Sequence, residues 1–465
     1  MYNTYVKVSS RWVNKIPSYW QFLKIKEILV KRKEKNNPIV TDFILSLSAR
    51  NGVTPYHERT ERGGNKPKND LTQYDIAHKN DLLINCMNIV AGSVGITKWK
   101  GAISPVYYAL YPRSNRVNIR FAEYIFRLYS FQRSLIGLGK GIQMHESESG
   151  VLSTVRMRIP MSSLNNIELP LPPRLEQDKI VRYLDWKVSL INKYINVKKK
   201  QIEFLKEQKQ TIINQAVTKG LDPKAPMKNS GIKWLGKIPA HWEIRKLKHF
   251  ALVNPSIRNF SYNLKDKVVF LPMEKISVDG TIDNSIKKRI LEVKSGFSSF
   301  AKNDVIIAKI TPCFENGKGA FLNNLESEIG FGTTELFNLR VKENMLPEYL
   351  YWMTMSSQFR ILGERTMTGT AGQKRITSNF VSNFTIAIPS VIEQNEIVDF
   401  IKKHIDKIHK YIDSVNNEIQ LLQEYRTRLI SDVVTGRVDV QDEKVPEFQI
   451  NIENASIPDI DEEAE

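Results

Sequence analysis

Trp12-Val-Asn-Lys-Ile-Pro-Ser-Tyr-Trp20 returns 222 residues later as Trp234-Leu-Gly-Lys-Ile-Pro-Ala-His-Trp242. Working outward from this block, Lys79-Asn-Asp-Leu-Leu-Ile84 returns as Lys302-Asn-Asp-Val-Ile-Ile307. Glu123-Tyr124 returns as Glu348-Tyr349, Arg158-Ile159 as Arg375-Ile376, and Glu176-Gln177 as Glu393-Gln394. The offset falls to 217 at the last two anchors, so the first copy carries about eight extra residues before Arg158. An internal repeat of this kind predicts one scaffold built twice. Divergent sequence between the anchors predicts that the two copies meet different things.

Each copy closes in the same way. A proline-rich stretch, Leu169-Pro-Leu-Pro-Pro173 or Ile386-Ala-Ile-Pro389, sets an extended lead-in. Apolar residues then recur at three-four spacing from Val181 to Ala216 and from Val398 to Val433. Five heptads of a/d stripe make the seam of a coiled coil. Each stripe predicts a helix about 54 Å long, too long to be buried along one small domain. Its natural partner is the other copy. Gly220 and Gly436 follow as C-terminal stops. Lys209 and Arg426 interrupt the seam at the same position of the two copies. A register lock or a contact to another subunit would explain them, but the blander expectation is a long side chain snorkelling to water.

The front portions read as mixed α and β. Asp81-Leu-Leu-Ile-Asn85 and Asp304-Val-Ile-Ile-Ala308 predict strands. The stretches 121–129 and 347–353 predict short amphipathic helices. Gly101-Ala-Ile-Ser-Pro105 and Gly330-Phe-Gly-Thr-Thr334 predict loop-to-strand turns. The Pro/Gly-rich stretch 220–231 reads as a linker. The fold class is therefore α+β: two mixed α/β domains joined by two long helices in an antiparallel coiled coil, with an internal pseudo-two-fold repeat. The boundaries read from the sequence are 1–168 and 221–385 for the front domains, the second including the linker. The helices occupy 169–220 and 386–440, and an acidic tail occupies 441–465.

The net charge is +18, and residues 442–465 contribute −8, so the remainder carries +26. That excess favours a polyanionic partner, nucleic acid before acidic lipid. No run of about eighteen apolar residues predicts a membrane span. Two cysteines, Cys86 and Cys313, at non-equivalent places suit a reduced, cytoplasmic protein.

A search for chemistry returns little. Asn254-Pro255-Ser256 lacks the second proline and the aromatic that an amino-methyltransferase loop needs. Gly137-Leu-Gly-Lys-Gly141 lacks the spacing and the hydroxyl of a phosphate-binding loop. No Cys or His cluster has zinc spacing, and His404 and His409 diverge on a helix, which predicts a surface role. We expect no catalytic residue, no metal ligand and no cofactor in this chain.

The ordered set of blocks resembles the specificity subunit of type I restriction–modification systems. The carriers are residues 234–243, Leu169-Pro-Leu-Pro-Pro-Arg-Leu-Glu-Gln177, Ala216-Val-Thr-Lys-Gly-Leu-Asp222 and Ile392-Glu-Gln394 with its long helix. The resemblance covers nearly the whole chain. It implies that each front portion is a target recognition domain reading one half of an asymmetric, split sequence in double-stranded DNA. It implies two DNA adenine methyltransferase subunits on the helical regions, with restriction/translocase subunits joining that core. S-adenosylmethionine, ATP and magnesium would then sit on those partners. The N-terminal block departs from the pattern, with Phe22-Leu23-Lys24 where the second copy has Ile244-Arg245-Lys246.

Candidate DNA contacts in the second copy are Thr370, Gln373, Lys374 and Arg375, in and beside a Gly-rich loop. Their counterparts are Lys140, Gln143, Arg156 and Arg158. Arginine can pair with guanine and glutamine with adenine. The sameness of Arg158 and Arg375 instead suits a phosphate or scaffold contact. Lys66, Lys68, Lys98, Lys100, Lys309 and Lys318 are candidate phosphate contacts. A nucleic-acid-modifying enzyme with an unrecognised site, or a coiled-coil scaffold with incidental charge, remain the alternatives on the sequence alone.

The seam generates a prediction. One heptad inserted in each helix, near Ile195 and Ile412, keeps the seam in register and adds about 10.5 Å, roughly three base pairs. A methylation map of the assembled complex should show unchanged half-sites and an altered spacer. A functional complex with an unchanged spacer would rule out the helices as a measure of the DNA.

Overall fold

The computed structural model describes residues 2–59, 66–139, 144–146, 152–154, 158–370 and 372–447. Four helices carry the frame: α1 (Ile119–Phe126), α2 (Arg174–Lys219), α3 (Pro347–Thr354) and α4 (Val391–Val434). Neither long helix contains glycine or proline, so nothing interrupts its 46 or 44 residues. At 1.5 Å per residue they run about 69 and 66 Å, longer than the seam alone suggests. The extra turns lie upstream, where the Glu-Gln pair occupies the first turn instead of preceding the helix. Gly220 and Gly436 end the helices with φ of 71° and 72°, the left-handed conformation expected of a helix stop.

The chain forms two units, 1–199 with 416–465, and 200–415. Each holds one front domain, one part of α2 and one part of α4. In the first unit, Asn192 Oδ1 accepts from Arg426 Nη1 at 2.7 Å, and Lys198 lies 2.6 Å from Glu418. In the second, Lys209 Nζ meets His409 Nε2 at 3.0 Å, and the Gly220 stop lies against Glu393. Numbers rise on one helix as they fall on the other, so the helices pair antiparallel within each unit. Leu184, Val188, Ile191 and Val433 fill the first seam; Ile213, Ala216, Ile401 and Ile405 fill the second.

The seam cations do not snorkel. Arg426 is 3% exposed and hydrogen-bonded across the seam, and Lys209 donates to His409. The four residues occupy two positions, each 217 apart, so the copies hold the same cross-seam pair in different chemistry. His409 accordingly faces the seam, not the surface. Burial, then the Lys209 charge, lower its pKa.

The repeated residues build the joint between domain and helix. Glu176 accepts from Trp20 Nε1 at 3.2 Å and from the Tyr2 and Tyr19 hydroxyls; Glu393 accepts from Trp242 Nε1 at 3.0 Å and pairs with His241 at 2.9 Å. Gln177 accepts from the Asn118 amide and donates to the carbonyls of Arg116 and Pro172. Gln394 accepts from the Leu346 amide and donates to those of Asn344 and Pro389. The other helix ends on the same spot. A Cβ at Gly436 would stand 2.4 Å from Pro17, and one at Gly220 3.3 Å from the Trp242 ring.

Inside each front domain the Lys-Asn-Asp repeat is a turn. Asn80 and Asn303 take φ of 69° and 67°, and the aspartates accept from the backbone three residues back. Asp81 then binds Arg32, one residue past the strand Leu29–Lys31, at 2.6 Å, while Asp304 binds Arg340, on the strand Leu336–Val341, at 2.7 Å. The main sheets share one strand order. It runs Leu29–Lys31, Tyr107–Pro112, Leu82–Asn85, Val94–Ile96 in the first unit and Ala251–Val253, Leu336–Val341, Val305–Ala308, Gly319–Phe321 in the second. The glycine segments expected as turns are strands, Gly101–Ile103 and Ile329–Gly332. Glycine is needed there for close approach: a Cβ at Gly332 would lie 2.5 Å from the Leu271 carbonyl oxygen. Met227–Asn229, inside the stretch read as a linker, pairs with Lys237–Pro239 as Tyr5–Lys7 pairs with Lys15–Pro17. The extra residues of the first copy include a strand pair, Met144–Glu146 with Leu152–Thr154. No helix among the described residues is long and apolar enough to cross a membrane.

Two outcomes follow from these contacts. Gln394→Ala orphans one amide and two carbonyls, so the unfolding free energy from denaturant titration should fall by about 1–3 kcal/mol for each group that water cannot reach; the exposed Asn395→Ala should leave it unchanged. His409 has a depressed pKa, and its neutral form accepts from Lys209 while Asp279, Asp406 and Asp413 lie nearby. Its contribution is present above the unfolded value of about 6.5 and is lost as pH falls through the lower folded value. His409→Asn, borrowing the other copy's residue, should flatten that acid-side loss in thermal unfolding followed from pH 7 downward.

Candidate nucleic-acid interface

The second unit brings several of the sequence candidates together. Thr368 and Arg375 pair as a bridge, and Arg375 also bridges to Ile310, so 368–375 is a short hairpin fixed at its base. Its tip turns at two glycines, Gly369 with φ 126° and Gly372 with φ 80°. A Cβ at Gly369 would stand 2.8 Å from the Gln373 carbonyl oxygen, so both conformation and space demand glycine. The Gln373 amide donates to the Thr370 carbonyl at 3.0 Å and closes the turn. Thr370, Gln373 and Lys374 are thereby exposed at the tip.

Below the tip, Thr311 N donates to Lys374 O and Lys309 N to Glu335 O, both at 2.9 Å. Lys309 Nζ lies 5.4 Å from the Phe337 ring centroid. Lys318 runs alongside, its carbonyl accepting from Ala308 N, but its ammonium donates to the Met273 carbonyl at 3.1 Å. Arg375 is held firmly. Its Nε and Nη2 each donate to one Glu335 oxygen at 2.9 Å, and Nη1 donates to the Gln373 carbonyl at 3.0 Å. The Arg375 fork lowers the Glu335 pKa, and Glu335 raises that of Arg375.

In the first unit Arg158 occupies the matching place: Ile159 N donates to Cys86 O at 2.8 Å, as Ile376 N donates to Lys309 O at 2.9 Å. Arg158 has the Tyr108 hydroxyl and the Cys86 thiol beside it, which raise its pKa, and the Tyr108 hydroxyl donates to Ile159 O at 3.1 Å. Lys140, Gln143 and Arg156 lie outside the described residues. Lys66 and Lys68 are exposed, with Lys68 N donating to the Tyr74 hydroxyl at 3.3 Å. Lys98 and Lys100 flank Trp99 on the turn between strands Val94–Ile96 and Gly101–Ile103, with Lys98 Nζ 5.9 Å from its indole. These four lie on segments separate from the one that carries Arg158.

Sequence reasoning missed Glu335, which stands one residue beyond the Gly-Phe-Gly-Thr-Thr stretch it singled out. It also missed the strand Lys287–Arg289, where Lys288 Nζ sits 4.2 Å from the Phe270 ring and Phe270 packs edge-on against Phe297 at 5.0 Å. Two adjacent lysines and an arginine in a row were the available signal. Among the described residues, no group of three or more His, Cys, Asp or Glu could hold a metal ion. What the arrangement offers is exposed amide, hydroxyl and cationic groups on a fixed frame, suited to binding a polyanion.

A family model described as the type I restriction modification DNA specificity domain matches residues 17–204 and 239–421. The chain is 38% identical over 170 residues to the type I restriction enzyme EcoEI specificity subunit of Escherichia coli, a match covering 36% of this chain and 28% of that one. It is 23% identical over 445 residues to the MjaVIII specificity subunit of Methanocaldococcus jannaschii, covering 92% of this chain and 95% of the relative. Among solved structures, a chain from work on assembly and conformational transition of the type I R-M system superposes with a TM-score of 0.66 at 12% identity. That match covers 91% of this chain and all of the other. The HsdS subunit of Thermoanaerobacter tengcongensis gives 0.50 at 13%, covering 91% and 98%.

Proposed function

Because this chain belongs to the type I restriction–modification DNA specificity family, we propose that it reads an asymmetric bipartite site in double-stranded DNA, one half-site per unit, without catalysing a reaction itself. The observation that carries this is the glycine-turned hairpin 368–375, which lifts Thr370, Gln373 and Lys374 off a frame whose other copy is filled differently. Gln373 has the donor–acceptor pair that adenine's N6 and N7 require. Lys374, Lys309 and Lys318 supply the charge for phosphates. In the first unit Arg158 with Lys66, Lys68, Lys98 and Lys100 takes that role, joined by Lys140, Gln143 and Arg156. Residues 1–168 and 221–385 serve as the two target recognition portions, 169–220 and 386–440 as helical regions, and 441–465 as a tail.

The helices also present a face for protein partners. In the first unit, Tyr194 and Val197 of α2 and Leu421 and Tyr425 of α4 are each more than half exposed. The Asn192–Arg426 and Lys198–Glu418 contacts put them at one height. The pattern repeats by 217 residues: Tyr194 with Tyr411, and Phe204 with Leu421. Apolar residues outside the seam on a long helix pair suit further helices. We assign this face to two DNA adenine methyltransferase subunits, with restriction/translocase subunits joining that core. S-adenosylmethionine, ATP and magnesium then belong to those partners, and the complex works on DNA in the cytoplasm.

A methylation map of the assembled complex tests the reading. Gln373→Ala should relax one position of one half-site by about 1–3 kcal/mol and leave the other half-site intact. Lys374→Ala should weaken binding to all sequences and reduce the slope of log affinity against log salt by about 0.9. Equal changes in both half-sites from Gln373→Ala would overturn the separate readers.

A further inference from the structure

Arg158 and Arg375 stand at one position of the repeated frame, yet different chemistry lies beside them. Tyr108 pairs with Ile84 as Phe337 pairs with Ile307, so Tyr108 and Phe337 are equivalent. Cys86 N donates to Val106 O as Lys309 N donates to Glu335 O, so Val106 and Glu335 are equivalent. The first unit has a phenol and no acid; the second has an acid and no phenol. Glu335 therefore takes over the holding of the arginine two residues earlier on the same strand line, and brings a full negative charge with it.

That exchange changes what the arginine can do. Arg158, with the Tyr108 phenol and the Cys86 thiol beside it in place of a carboxylate, keeps its whole positive charge for a phosphate. Arg375 is neutralised by Glu335, which removes most of the reward for approaching any phosphate. Its geometry is fixed in return. Nε, Nη2 and Nη1 each spend one N–H within the protein. Of five guanidinium N–H groups, two remain, one on each terminal nitrogen. The Arg375 side chain is 41% exposed and that of Glu335 24%. Two remaining donors on an uncharged pair match in number the two acceptors on a guanine major-groove edge, O6 and N7.

We infer that Glu335 is a positioning residue that turns Arg375 from a phosphate contact into a reader of one guanine in the half-site of the second unit. The inference rests on the proposal that the hairpin 368–375 faces DNA. It makes the duplicated arginine a specificity determinant in one copy and an anchor in the other.

A double-mutant cycle in the complex with methyltransferase subunits tests it. Arg375→Ala and Glu335→Ala should each relax the same single G·C position, by about ten-fold in the ratio of specific to mismatched sites. The double variant should be no worse than Arg375→Ala alone, because Glu335 acts through the arginine. Glu335→Ala should also bind random-sequence DNA more tightly, with a salt slope steeper by about 0.9, as the freed arginine takes a phosphate. In the unsubstituted complex, 7-deazaguanine at that position should cost a comparable factor by removing N7. Glu335→Gln keeps the side chain's shape, and should show the same relaxation if Glu335→Ala folds poorly. Additive effects, or an unchanged map with uniformly weaker binding in Arg375→Ala, would overturn the inference and leave the DNA-reading proposal standing. An Arg375→Ala complex with wild-type affinity, map and salt slope would overturn the placement of DNA at this hairpin as well.

Discussion

The structure depends on two side chains in the first turn of each long helix. Glu176 and Glu393 receive the indole N–H of a buried tryptophan, and Gln177 and Gln394 each satisfy one backbone amide and two carbonyls. A helix N-terminus has amides to spare and favours negative charge, so a glutamate there is stable before it finds a partner. Binding a tryptophan of the front domain then fixes the angle at which the helix leaves it. The glutamine locks the segment leading into α1 or α3 to the same turn. Since the opposite helix ends against the same tryptophan, three segments distant in sequence meet at one acid–amide pair.

This arrangement separates frame from content. The Lys-Asn-Asp turn, the sheet order and the Trp–Glu–Gln joint recur in both units with nearly the same contacts. The residues that differ stand where the frame leaves choices open: the hairpin tip, the holder of the repeated arginine, the partner of the turn aspartate. Arg32 and Arg340 reach equivalent aspartates from different places in the frame, so even a shared requirement is met from unlike positions. The tips can thus change in sequence without disturbing the helices.

Much of this was readable in the sequence, for identifiable reasons. A seven-residue apolar stripe has no other stable solution than a helix pair, and the duplicated blocks mark contacts each copy must make for itself. The glycine strands were misread because glycine commonly signals a turn; here it admits a neighbouring backbone, as Gly332 admits the Leu271 carbonyl. The fate of Lys209 and Arg426 was hidden because their partners, His409 and Asn192, lie 200 and 234 residues away. Glu335 was invisible for the same reason: a lone acid among basic candidates shows its meaning only when the hairpin lays Arg375 across it. Of the site, the exposed tip residues were legible, and the ionic partner beneath them was not.

The two units differ in how the chain supplies them. Residues 200–415 are contiguous, whereas the first unit joins 1–199 to residues beyond 415. Gly436 seats against Pro17 and Trp20 across more than four hundred residues. On a ribosome the second unit can therefore close as soon as its own segment has emerged, while the first, although made earlier, waits with its half of α2 uncovered until α4 is finished. The usual order of domain maturation along a chain is reversed, and the half-formed helix seam is exposed for as long as it takes to make the second copy.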